Sequence, residues 1–180
     1  KFHLEMHWWH SAHFALWGRE DVLAQQLEWS LETMPAMRTI AERQGYRGIR
    51  WGKMMGPDAG ETPSQIAQFL LWQQPHPIYY AELCYRANPT EETLDRHQAL
   101  VFETAEFMAS DAHWNDYAKR YDLGPPLIPA QECYDRETTR NPTFELEYWH
   151  WGLDVAQRWR DRLGLARDDD WEHVIAHLAL

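Results

Sequence analysis

Ile128-Pro129-Ala130-Gln131-Glu132-Cys133-Tyr134, followed by Asn141-Pro142-Thr143-Phe144-Glu145-Leu146, is the stretch on which the reading of this chain turns. The first segment carries one carboxylate in a proline-punctuated loop, where proline removes a backbone donor and stops helix propagation. The second opens a new helix, with Asn141-Pro142 at its start and Gly164 past its end. A lone acid in a loop, in a chain rich in Trp, Gln and His, has the form of a sugar-cleaving site. Glu132 is the first candidate site residue.

Working outward, the same punctuation divides the chain into helices. A short aromatic helix is expected from about residue 7 to 18, and a longer one over 20–44. The longer run places Val22, Leu23, Leu27, Leu31 and Met34 near helical spacing, with Pro35 as a break or kink and Gly45 as C-cap. Thr62-Pro63 reads as the start of a run over 64–74, Pro75 and Pro77 interrupt it, and helix resumes over 78–87. Thr90 caps the longest run, 91–112, with Glu91 and Glu92 favourably placed in its first turn. Residues 117–140 read as irregular, 141–163 as helix, and Asp169 or Asp170 as the cap of a last helix. No β-strand alternation is evident. The expected fold class is all-α: one domain, 1–180, of helical hairpins joined by long loops of the kind that carry function.

Composition narrows the partners. Seventeen basic residues against 28 acidic give a formal charge of −11, which disfavours nucleic acid and anionic membrane surfaces. No apolar run reaches bilayer-spanning length. Eleven Trp beside 8 Tyr and 6 Phe exceed ordinary use, so most rings must pack with their N–H groups satisfied, and some can serve as platforms for sugar rings. The two cysteines, Cys84 and Cys133, could pair but do not form a disulfide framework. The chain begins at Lys1 in a Trp/His-rich stretch, so its native start is expected to be missing and its localisation is unknown.

Three further motifs carry chemistry. Trp72-Gln73-Gln74-Pro75-His76-Pro77 supplies two amides and an imidazole, each able to donate and accept as sugar hydroxyls require. The plain alternative is a kinked helix with ordinary polar groups. Arg50-Trp51-Gly52-Lys53 offers a stacking ring and a cation; its alternative is a loop anchored by a Trp. His7, His10 and His13 rotate around a helix instead of converging, and the chain lacks His-Glu-x-x-His and Cys-x-x-Cys, so no metal site or other cofactor is expected.

Taken in order, Gly45-Tyr46-Arg47-Gly48-Ile49-Arg50-Trp51, His76-Pro77-Ile78-Tyr79-Tyr80-Ala81, residues 103–110 and Pro129-Ala130-Gln131-Glu132 resemble the six-hairpin, (α/α)6-toroid glycosidases. The likeness is nearest to glycoside hydrolase family 65, the maltose and kojibiose phosphorylases and acid trehalases. That family's loop has Gly-Pro-Asp before its proton-donating glutamate, whereas this chain has Pro129-Ala130-Gln131 there. The resemblance implies about half of a toroid and cleavage of a glycosidic bond in an oligo- or polysaccharide, by hydrolysis or phosphorolysis, with Glu132 as acid. It also implies that the rest of the toroid, or self-association, covers exposed helix faces. Glycoside cleavage needs two carboxyl groups. Glu5 and Glu145 are the second candidates within the chain, although first-turn placement also explains Glu145 as a partner of the helix dipole. Trp51, Lys53, Trp72, Gln73, Gln74, His76 and Gln131 are the expected substrate contacts. The other class that remains open is a noncatalytic carbohydrate-binding or interaction fragment.

Overall fold

The computed structural model describes residues 2–180. It is all-α: α1 (Leu4–Leu16), α2 (Glu20–Arg43), α3 (His76–Ala87), α4 (Glu91–Asp111), α5 (Thr143–Arg162) and α6 (Asp169–His177). Local chemistry sets several ends. The Thr90 hydroxyl accepts from the Thr93 amide at 3.2 Å and starts α4. Asp168, one residue before the expected caps, accepts from Asp170 and Trp171 and starts α6. Pro77 falls in the first turn of α3, where its missing N–H costs nothing, so that helix begins at His76 instead of after the prolines. Helix α1 starts at Leu4, earlier than the aromatic run suggested.

Three expectations are corrected. The run over 64–74 is not an α-helix; only the 3-10 turn Ala67–Phe69 forms. Ser64 Oγ takes the amides of Ile66 and Ala67, and Leu70 bridges to Ile128, so local side-chain bonding and a remote partner compete successfully with helix. Two small antiparallel ribbons exist, Phe2–His3 (β1) with Met54–Met55 (β2), and His113–Asn115 (β3) with Arg120–Asp122 (β4). Neither is long enough to show alternation in sequence. Asn141 does not cap α5: its side chain bonds Asp122 and the Leu123 amide, tying the ribbon to the helix start. Both cysteines are free, Cys84 buried and Cys133 exposed.

Each helix packs on the next one in sequence, and also on the one after that: α1 on α3, α3 on α5, α2 on α4, α4 on α6. The odd helices therefore form one layer and the even helices another. One buried cluster gathers α1–α3 around Leu23, Leu27, Met37 and Trp51, and the other gathers α4–α6 around Phe107, Trp149 and Trp159. The spacing Leu23, Leu27, Ser30, Met34, Met37, Ala41 keeps one face of α2 inward despite Pro35 within the helix. Gly152 lets α5 approach closely, since a Cβ there would lie 2.8 Å from Met108 Cε and 3.2 Å from Pro75 Cβ. The three wholly buried indoles are satisfied: Trp51 by Thr104, Trp149 by the Met108 carbonyl and Trp159 by Glu82.

The loops alternate as the layers do. Short connections, 17–19 and 88–90, lead from odd helix to even. Long ones, 44–75 and 112–142, lead from even helix to odd. The long loops and the N-termini of the odd helices thus share one end of the layered pair, and the candidate residues lie there.

Candidate functional site

Lys53 lies in the first long loop, with its backbone carbonyl accepting from Leu4 at the start of α1 at 3.0 Å. That register, extended by the β1–β2 ribbon, brings Glu5 beside it. The Lys53 ammonium contacts Glu5 Oε2 at 3.4 Å and also Glu132 Oε1. Lys53 is 8% exposed at its side chain, Glu5 32% and Glu132 34%. One cation thus bridges two carboxylates that are 127 positions apart in the chain, which places their nearest oxygens within roughly 6 Å of each other, on the scale of paired glycosidase carboxyls.

The loop that presents Glu132 is tightly defined. Glu132 has φ of 56°, a left-handed conformation uncommon for a side-chain-bearing residue, and its amide donates to Pro129 O at 2.9 Å. Ile128 donates to Phe69 O at 2.9 Å. From below, Glu145 Oε1 accepts from the Ala130 amide at 2.7 Å. Glu145 is fully buried and its Oε2 has no partner. Burial pushes its carboxyl above the usual range, against the opposing pull of the Ala130 amide. Glu145 therefore holds the Glu132 loop from within the protein and does not join the Lys53 cluster. Backbone strain at a residue so fixed is the kind found at functional positions.

The expected substrate contacts divide. Lys53 is in the cluster, and Gln131, exposed, lines a cavity beside the Glu132 loop together with Thr143 and Phe144. Trp51 is wholly buried, so its indole is a core group and offers no face for stacking. Gln73 and Gln74 are also fully buried. Their amide nitrogens donate to Trp51 O at 3.1 and 2.6 Å, and Gln74 Oε1 accepts from the Trp51 amide at 2.8 Å. These three residues hold the first long loop in place, two positions from Lys53, and present nothing to a ligand.

Trp72 and His76 instead join a group that the sequence reading did not assemble. Around a cavity of about 490 Å³, ring follows ring: Trp8 to Tyr79 at 5.8 Å, Tyr79 to Trp151 at 5.6 Å, and Trp151 to Tyr148 at 5.6 Å. The circuit continues from Tyr148 to Phe144 at 5.7 Å and Phe144 to Trp72 at 6.2 Å, then closes through His76, 5.1 Å from Trp72 and 6.5 Å from Trp8. His76 Nδ1 pairs with the Tyr148 hydroxyl at 2.9 Å. Burial, then the nearby His7, hold the His76 imidazole down to about 3, so it is neutral. A signal for this cavity was present in the i, i+4, i+7 spacing of Phe144, Tyr148 and Trp151. The same spacing describes any packed helix face, which is why it went unread.

A separate cavity of about 330 Å³ holds Asp111, whose carboxyl burial raises to about 6 against the charge of Arg50 and a hydrogen bond from Tyr46. Among the described residues no group of three His, Cys, Asp or Glu is placed to hold a metal ion. No helix among them is long and apolar enough to cross a membrane. No protein-family model matches this chain, and no curated protein matches it.

Proposed function

We propose that this chain belongs to an enzyme that cleaves glycosidic bonds, by hydrolysis or phosphorolysis, with Glu132 as general acid and Glu5 as the second carboxyl. The carrying observation is the sharing of one nearly buried ammonium, Lys53, by these two carboxylates. Glycoside cleavage asks for one carboxyl that carries a proton and one that does not. A single ammonium offsets only one of two neighbouring negative charges, so the two carboxyls share one counterion. The left-handed backbone at Glu132 and its support by Glu145 favour a carboxyl held for use over one left in solvent.

The alternate layering of odd and even helices is what about half of an (α/α)6 toroid would have, and on this reading the odd helices are its inner ring. The substrate is an oligo- or polysaccharide, in keeping with a formal charge of −11, which disfavours polyanions.

The test is turnover of a saccharide panel, with and without inorganic phosphate, by wild type, Glu132→Gln and Glu5→Gln, alongside calorimetric binding of the same sugars. Loss of general acid–base catalysis predicts a fall of about 10²–10⁴-fold in rate with binding retained. Unchanged turnover in Glu132→Gln sinks the assignment. Binding without turnover in wild type points to the noncatalytic carbohydrate-binding reading, in which the Glu132–Lys53 pair is a tether.

A further inference from the structure

The ring-lined cavity differs chemically from a sugar pocket. Its walls are mainly aromatic faces and edges, and the polar atoms of His76, Tyr148 and Trp72 are already used or closed off. His76 Nδ1 and the Tyr148 hydroxyl are spent on each other. His76 Nε2 and Trp72 Nε1 have no partner but are sealed from the surface. Glu147, exposed, is the one carboxylate on the lining. A pyranose stacked on one of these rings would turn its hydroxyls toward the ring carbons of the others. A flat apolar ring would instead gain stacked and edge contacts on several sides.

The cavity also adjoins the Lys53 cluster. Trp8 and Trp9 follow Glu5 by three and four positions on α1, so all three share one helix face. On the far side, Phe144 lines both this cavity and the one beside Gln131 and the Glu132 loop. A molecule spanning the two cavities would set one part beside Gln131, next in the chain to Glu132, and another among the rings.

We propose that the ring-lined cavity is an aryl-binding subsite, so that the substrates of the Glu132–Glu5 site are glycosides bearing an aromatic aglycone. The word aglycone rests on the function proposed above; the preference of the cavity for an aromatic ring does not.

The experiment is calorimetric titration of the Glu132→Gln chain with matched phenyl and methyl glycosides of several sugars, with phenol, and with tetramethylammonium. The same titrations are made on Trp8→Leu/Trp151→Leu, whose rings are only partly buried and whose fold is checked by far-UV circular dichroism. Phenyl glycosides are expected to bind about tenfold more tightly than their methyl counterparts, the advantage an added set of aromatic contacts confers. That advantage should largely vanish in the double variant. Equal affinity within each matched pair overturns the proposal, as does tetramethylammonium binding in the absence of phenol binding, which would make the cavity a cation cage. Failure of both phenol and phenyl glycosides to bind overturns it as well. Phenol binding that is lost in the double variant, with no glycoside bound, sustains the aryl site and removes the glycosidic function instead.

Discussion

Replacing Lys53 by Met tests whether the charge cluster is a designed arrangement or a chance meeting of surface groups. Methionine approximates the length and apolar stem of lysine but leaves Glu5 and Glu132 facing each other without a counterion. Two unit charges roughly 6 Å apart repel by about 3 kcal/mol at an effective dielectric of about 20. Each carboxylate is a third exposed, so solvent reduces this, and the ~3–5 kcal/mol typical of breaking a fully buried pair is an upper bound. The expected loss is about 1.5–2.5 kcal/mol, or roughly 3–10 °C in Tm for a domain of this size. The assay is urea unfolding followed by Trp fluorescence and circular dichroism, in a cycle with Glu132→Gln. The double variant Lys53→Met/Glu132→Gln should recover about half of the loss, because removing one carboxylate removes the repulsion. Raising the salt concentration should narrow the gap between Lys53→Met and wild type. A loss below about 0.5 kcal/mol, with a coupling energy near zero, refutes the view that Lys53 binds the two carboxylates into one unit.

Three other outcomes follow from the same reasoning. Glu82, almost wholly buried, accepts from Trp159 at 2.8 Å, Arg162 at 2.6 Å and Arg86 at 2.9 Å. Glu82→Ala should cost about 3–5 kcal/mol in urea unfolding by leaving these donors unpaired. Burial alone would raise the Glu82 carboxyl, but its bonds from Arg162, Trp159 and Arg86 bring it below the usual value. Its stabilisation is therefore present above the unfolded carboxylate pKa and lost as pH falls through the lower folded value, and Glu82→Gln should flatten that acid limb. His76 and His97 are held to about 3 and about 4 from 6.5, in both cases mainly by burial. The unfolded chain binds protons there first, so Tm should fall as pH drops below about 6.5, and less so in His97→Gln. Gly48 has φ of 68° and a Cβ there would meet Glu103 O at 2.3 Å, whereas Gly18, at φ of 69°, has open space. Gly18→Ala should cost only the backbone strain of about 1 kcal/mol, and Gly48→Ala distinctly more, read as the difference in urea midpoints.

Periodic patterns carried the helices. Leu23, Leu27 and Met34 stand at helical spacing and line one buried face of α2, while Thr90 caps α4 with its own hydroxyl. Those signals are local, since a cap or an amphipathic face is written within one or two turns of the chain. The run over 64–74 was misread because its competitor was not local: Leu70 is drawn out to Ile128 by a bridge spanning 58 positions. Trp51 was misread for a related reason. An indole beside Arg50 and Lys53 looks the same in sequence whether it faces a ligand or is sealed by Gln73, Gln74 and Thr104.

By itself, then, the sequence determined the all-α class, the order and most ends of the helices, and the singular position of Glu132 in a proline-rich loop. Only the tertiary structure decided that Glu5 and Glu132 share the Lys53 ammonium, that Glu145 supports the loop from within, and that Trp8, Tyr79, Trp151, Tyr148, Phe144, Trp72 and His76 close around one cavity. The physical reason is separation along the chain. Helix propensity and capping act between residues three or four apart. The site instead joins groups from α1, two long loops, α3 and α5, and their meeting depends on how the odd helices lie side by side.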